Sequence, residues 1–178
     1  IGPYGCGKTE LARAVCADPR VVGASAMAPD LLTAYLHESV NNVRRLYDAA
    51  LRLHDESDKP VVLTLDEFDS LFTGGKGESV SSTDIVQMTK VLQQVLDGMR
   101  DYSGVITLAL TNEPGAIPVA IRRRFDYVDV VGQLDLSERM QLLGMFLEKS
   151  VPLHEDVPAN YERWAEKLVD APGDIIRT

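Results

Sequence analysis

The 178-residue chain has few cysteines, histidines and tryptophans: two, three and one respectively. Cys6 and Cys16 are too few for a disulfide framework, and they fit a reducing, intracellular setting, with the cytoplasm as the expected compartment. No Cys/His cluster accompanies them, which argues against metal ligation by cysteine. No apolar run approaches the ~20 residues of a membrane span. Lys8 to Glu10 interrupt the start, so no signal peptide is read there. Basic residues are also short: 18 Lys and Arg against 27 Asp and Glu, a net charge of −9. That disfavours a mainly electrostatic nucleic-acid binder, although a local basic channel stays compatible with it. What the chain does have is 45% hydrophobic residues. This suffices for one large domain, or one domain with a small satellite.

The most informative segment is Gly2-Pro3-Tyr4-Gly5-Cys6-Gly7-Lys8-Thr9. It fits G-x-x-x-x-G-K-[ST], the Walker A phosphate loop. Glycines at 2, 5 and 7 let successive N–H groups turn inward toward a polyphosphate. Thr9 begins a helix whose N-terminal partial charge adds to that attraction. Lys8 is expected on the β- and γ-phosphates, and the Thr9 hydroxyl on Mg²⁺. Such a loop is launched by a strand, and only Ile1 precedes it. The expectation is a sequence cut from a longer chain, with its first strand upstream.

Further along, Thr9 to Ala17 reads as a helix with Leu11 and Val15 among its packing residues. Val21–Ala24 reads as a short strand, and Asp30–Leu36 as one or two helical turns. A longer helix is expected from Ser39, followed by a polar loop over His54–Lys59. Val61–Leu65 is a β-branched apolar strand. Thr73–Ser82 is a Gly/Ser-rich loop, and Ile85–Met99 an amphipathic helix. Val105–Leu110 is a buried strand, Pro118–Arg123 a short helix and Tyr127–Val131 a last strand. Beyond Gly132 only helices are expected: Ser137-Glu138 capping one to about Lys149, Asn160–Val169, and one from Asp174. Trp164 is assigned to helical core. Alternation followed by helices predicts a parallel α/β domain over 1–132 and a small helical domain over 133–178.

Three further segments carry chemistry. The strand Val61–Leu65 delivers Asp66 and Glu67 to its C-terminal end, where open α/β sheets bind ligands. This is a Walker B pattern: Asp66 supports Mg²⁺, and Glu67 polarises the attacking water. Leu108–Asn112 ends a strand on an amide, so Asn112 could position that water. Arg122-Arg123-Arg124 precede Phe125. An arginine offered by a neighbouring subunit neutralises charge on the phosphoryl oxygens and is worth roughly three to five decades of rate. The bland alternative is a solvated basic helix end, or pairing with Asp126 and Asp129.

Together these segments resemble the classical AAA branch of the AAA+ ATPases, over nearly the whole chain. Leu65-Asp66-Glu67-Phe68-Asp69-Ser70-Leu71 is similar to the family's L/I-D-E-I-D-x-L, and Thr111-Asn112 matches its sensor-1 position. Ala120–Phe125 looks most like the arginine-finger segment of the katanin and spastin group, which implies Arg123 and Arg124 as fingers. The resemblance implies ATP or ADP held by Gly2, Pro3, Gly5, Cys6, Gly7, Lys8, Thr9 and Glu10. It implies Thr9 and Asp66 on Mg²⁺, and Glu67 and Asn112 at the lytic water. Pro29–Ser39 resembles the first pore loop, with Ala34 for a common Lys and His37 for the turn Gly. Tyr35 then grips a threaded polypeptide, with Leu36 beside it. Leu31 and Tyr35 also lie four apart, as core residues on one helix face do. Ala171–Ile175 is similar to S-G-A-D-I, which brings Gly173 to the nucleotide from a helical lid.

The fold expected is therefore α/β: a P-loop NTPase parallel sheet sandwiched by helices, then a small all-helical lid. The function expected is an ATP-hydrolysing ring subunit, a homo-oligomer of hexameric type, that remodels a protein substrate. Two alternatives stay open: a nucleic-acid-stimulated loader or helicase, and a nucleotide-switched assembly scaffold.

Overall fold

A computed structural model describes residues 1–33, 35–73, 82–97, 102–150 and 161–167. The chain divides into two compact units: Ile1 with Thr9–Asp129, and Gly2–Lys8 with Val130–Thr178.

In the first unit three parallel strands lie in the order β1 (Val22–Met27), β2 (Val61–Asp66), β3 (Val105–Ala109). Their register aligns Ala24, Leu63 and Thr107. The first five residues of β2 are all buried, as a central parallel strand requires. Helix α1 (Lys8–Cys16) precedes β1, and α2 (Leu36–Ser57) packs on all three strands. The sequence of α2 places Val40, Val43, Tyr47 and Ala50 at helical spacing, and all four are buried. A short turn α3 (Ser70–Thr73) leads toward α4 (Ser82–Leu96), which lies against α2. Helix α5 (Val119–Arg122) packs on α4.

The core is made by Val43, Tyr47, Leu63, Leu65, Phe68, Met88, Leu92 and Ile121, each at most 2% exposed. Each such side chain stabilises by about 1.5–3 kcal/mol through the apolar area it removes from water. Tyr47 shares its hydroxyl with Thr107 Oγ1 (3.0 Å), and burial pushes its phenol up to about 12. Tyr102 stacks at a tilt on Tyr47, 5.6 Å between ring centroids, and donates to Asp48 Oδ1 (2.8 Å).

Several boundaries differ from the sequence reading. Helix α2 begins three residues before Ser39 and continues through His54–Ser57, which was expected as loop. Of these, Asp55 and Glu56 are exposed and His54 and Ser57 half-buried, and Asp58 stops the helix with a left-handed φ of 53°. Before it, only Ala28–Leu31 is helical, as a single 3₁₀ turn. In α1 the small Ala12 is buried, while Leu11 and Val15 are 53% and 41% exposed. Close packing there comes from Gly23: a Cβ on it would stand 2.5 Å from Cys16 Cβ.

The expected strand at Tyr127–Val131 is absent: these residues join no ladder. Tyr127, Val128 and Val130 are 93%, 65% and 67% exposed. Tyrosine and valine suit a strand, but a strand needs a ladder partner, and neither described ladder includes these residues.

In the second unit, α6 (Leu136–Ser150) and α7 (Tyr161–Lys167) pack together. The cap of α6 is Asp135, not Ser137. Asp135 Oδ1 accepts the Glu138 N–H and Glu138 Oε2 accepts the Asp135 N–H, both 2.8 Å, a reciprocal capping box. Leu143 and Ala165 are buried, and Arg139 Nε donates to Ala165 O (3.0 Å). Trp164, expected in the core, is 36% exposed. Most of the Thr73–Ser82 loop and the helix from Asp174 lie outside the described residues.

Candidate functional site

The glycine-rich loop has the backbone its sequence demands. Gly5 and Gly7 take φ of 69° and 95°, a region open mainly to glycine. Lys8 is buried, and its Nζ donates to Gly2 O (2.9 Å) and Pro3 O (2.6 Å), with Cys6 Sγ at 3.6 Å. The loop thus curls around its own ammonium. Thr9 and Glu10 follow in the first turn of α1, where Glu10 accepts from Arg13 at 2.7 Å.

At the C-terminal end of the sheet, Thr9 Oγ1 donates to Asp66 Oδ2 at 2.8 Å. A hydroxyl and a carboxylate side by side are oxygen donors of the kind a hard divalent cation takes, so the residues present fit Mg²⁺. Asp66 is half-buried and its other oxygen accepts the Glu67 N–H (2.9 Å). Glu67 itself is exposed at φ 52°, a left-handed conformation that costs a non-glycine residue roughly 1–3 kcal/mol. The next residue offsets it. Phe68 is fully buried, edge-on to Phe72 (5.7 Å) and Phe125 (5.9 Å), and its N–H donates to Leu110 O (2.9 Å). Anchoring Phe68 inward turns Glu67 outward.

Strand β3 ends beside this turn. Leu110 N–H donates to Leu65 O (2.9 Å), and Thr111 and Asn112 follow, Thr111 buried and Asn112 half-buried. Thr111 Oγ1 donates to Asp69 Oδ1. That side-chain pair was not singled out in the sequence, although Asp69 lies in the acidic motif and Thr111 directly precedes Asn112. A cleft of about 370 Å³ opens along α1 and β1, lined by Thr9, Cys16, Ser25, Thr64 and Asp66 among others.

The three arginines separate. Arg124 pairs with Asp97 and also donates to Ala120 O, and the Asp97 carboxylate raises its pKa. Asp97, rather than Asp126 or Asp129, is its partner. Arg122 and Arg123 are exposed, with no side-chain partner among the described residues.

Tyr35 is 70% exposed at the residue capping α2, and Leu36 opens the helix. Leu31 is half-buried against the core, so the two do not share one buried stripe. The turn is held by Thr33, whose N–H donates to Ser39 Oγ (2.9 Å) and whose Oγ1 donates to Tyr35 O (2.9 Å). Gly173 lies outside the described residues.

Residues 1–133 match the family described as "ATPase family associated with various cellular activities (AAA)". The chain is 36% identical over 158 residues to an uncharacterized AAA domain-containing protein of Schizosaccharomyces pombe, covering 88% of this chain and 19% of that protein. It is 34% identical over 161 residues to a putative ribosome biogenesis ATPase of Dictyostelium discoideum, covering 88% of this chain and 18% of that one. It is 29% identical over 176 residues to a putative 26S proteasome regulatory subunit homolog of Methanocaldococcus jannaschii, covering 99% and 45%. The chain thus spans less than half the length of each of these relatives. With residues 1–133 matching its family model, the chain belongs to the AAA family of ATPases.

Proposed function

We propose that the chain is an ATP-hydrolysing subunit of a homo-oligomeric ring, of hexameric type, that remodels a protein substrate. The observation that carries this is the Thr9–Asp66 hydrogen bond, which joins the end of the phosphate loop to the end of the acidic strand. In this reading Gly2, Pro3, Gly5, Cys6, Gly7, Lys8, Thr9 and Glu10 cradle the nucleotide, and Lys8 leaves its loop carbonyls for the phosphates. Thr9 and Asp66 would hold Mg²⁺, whose chemistry when bound is to neutralise phosphoryl charge. Glu67, exposed on its strained turn, takes the proton of the attacking water. Asn112 orients that water.

Of the two fingers the motif assigns, Arg123 and Arg124, Arg123 is the main one, because it is exposed with no side-chain partner among the described residues whereas Arg124 pairs with Asp97. This assignment follows the likeness to the katanin and spastin group. Residues 1–132 form the nucleotide domain and 133–178 a lid that brings Gly173 to the nucleotide. The exposure of Tyr35 supports the pore reading, with Leu36 beside it. A relative named as a putative 26S proteasome regulatory subunit homolog supports a protein substrate over a nucleic acid. Free Cys6 and Cys16 suit a reducing compartment.

Phosphate release with and without an unfolded polypeptide, and with and without DNA or RNA, tests this reading. Stimulation by polypeptide is the expected result. Stimulation by nucleic acid with steep salt dependence would replace it with a loader or helicase. Nucleotide binding with no turnover would leave a switch.

A further inference from the structure

Asn112 and Glu67 lie on different chain segments, and something must keep them in register. The β3 ladder ends at Ala109. Two backbone bonds continue the connection, Leu110 N–H to Leu65 O and Phe68 N–H to Leu110 O, both 2.9 Å. Neither reaches Asn112.

The next link is made by side chains. Thr111 Oγ1 donates to Asp69 Oδ1, and the same oxygen accepts the Glu113 N–H at 3.0 Å. One hydroxyl therefore ties the residue before Asn112 to the turn that carries Glu67. It also ties the residue after Asn112 back to the residue before it. Asn112 is bracketed on both sides. Thr111 is only 2% exposed, a position that valine would fill with the same shape and no polar atom. A hydroxyl donating to a carboxylate is charge-assisted and directional, and it limits displacement more tightly than apolar contact does.

We infer that Asp69 and Thr111 are positioning residues. Their bond holds Asn112 in register with Glu67, so that amide and carboxylate meet the same water. The inference rests on the reading of Glu67 and Asn112 as base and water-orienting amide.

The test compares Thr111→Val and Thr111→Ser, and Asp69→Ala and Asp69→Asn, in the full chain. Three quantities are read: kcat and KM for ATP, ADP affinity by calorimetry, and the unfolding temperature. Thr111→Val and Asp69→Ala lower kcat by about 10- to 100-fold, the scale of a misplaced catalytic group, with KM and ADP affinity close to wild type. Thr111→Ser keeps the donor, Asp69→Asn keeps an acceptor, and both recover most of the rate. A wild-type kcat in Thr111→Val overturns the inference. So does a loss in which kcat, ADP affinity and unfolding temperature fall together and serine restores none of them. If Thr111→Val does not fold, Asp69→Ala decides by the same criteria. Glu67→Gln is measured alongside: if it turns over normally, the reading of the base has failed. If it is inactive while Thr111→Val is not, only the positioning role has failed.

Discussion

Thr9 Oγ1 and Asp66 Oδ2 stand 2.8 Å apart, linking the first turn of α1 to the last residue of β2. The bond joins the two segments whose sequences each point to a phosphate and a divalent cation. It sits at the carboxyl end of a parallel sheet, where such folds bind ligands.

Thr9→Val removes the hydroxyl and keeps the shape. A hydrogen bond to a charged group contributes about 1.5–3 kcal/mol, so nucleotide affinity in the presence of Mg²⁺ falls roughly 10- to 150-fold. Calorimetric titration of ATP with and without Mg²⁺ checks this. The loss is confined to the titration with metal, and Thr9→Ser largely restores it.

Tyr35→Ala abolishes processing of an unfolded fluorescent protein, whereas Tyr35→Phe retains it. Because Tyr35 is exposed, the unfolding temperature stays within a degree or so of wild type. Substrate processing that survives Tyr35→Ala, or a large thermal destabilisation, would return Tyr35 to a structural role.

Leu92 and Val86 lie on the same helix and separate burial from propensity. Leu92 is fully buried and Val86 half exposed. Leu92→Ala costs about 2–5 kcal/mol, and Val86→Ala stays within about 0.5 kcal/mol of wild type. Urea unfolding of both variants reads the difference directly.

Arg123→Ala and Arg124→Ala separate two neighbours of identical chemistry. Arg123→Ala lowers turnover by about three decades or more and leaves ATP affinity intact. Arg124→Ala first loses its pair with Asp97 and lowers the unfolding temperature, with the smaller effect on turnover. Steady-state phosphate release and thermal melts of the two variants give the comparison. Equal turnover losses would remove the distinction drawn from their partners.

Much of this was legible from local pattern. Val61–Leu65, four apolar residues and a threonine leading to Asp66-Glu67, reads directly as a buried strand, and it is one. The glycine spacing of the phosphate loop anticipated the positive φ at Gly5 and Gly7. Features set by long-range pairing were not legible. Tyr127–Val131 has the tyrosine and valine content of a strand, yet forms none, because composition carries no information about a partner. Asp69 meets Thr111, and Arg124 meets Asp97, because the sheet register and the packing of α5 on α4 bring them there. Asp135 rather than Ser137 caps α6 because its partner Glu138 stands three residues on, the spacing of a capping box.

The central claim is an ATP site built by Thr9, Asp66 and Glu67 of one subunit and completed by Arg123 of the next. Mixing two inactive variants tests it most directly. Glu67→Gln binds ATP and does not turn over, and Arg123→Ala lacks the finger. Mixed and allowed to exchange, they form interfaces with Glu67 from one subunit and Arg123 from the other, and phosphate release rises well above the sum of the two alone. A mixture no more active than its components would contradict the shared site.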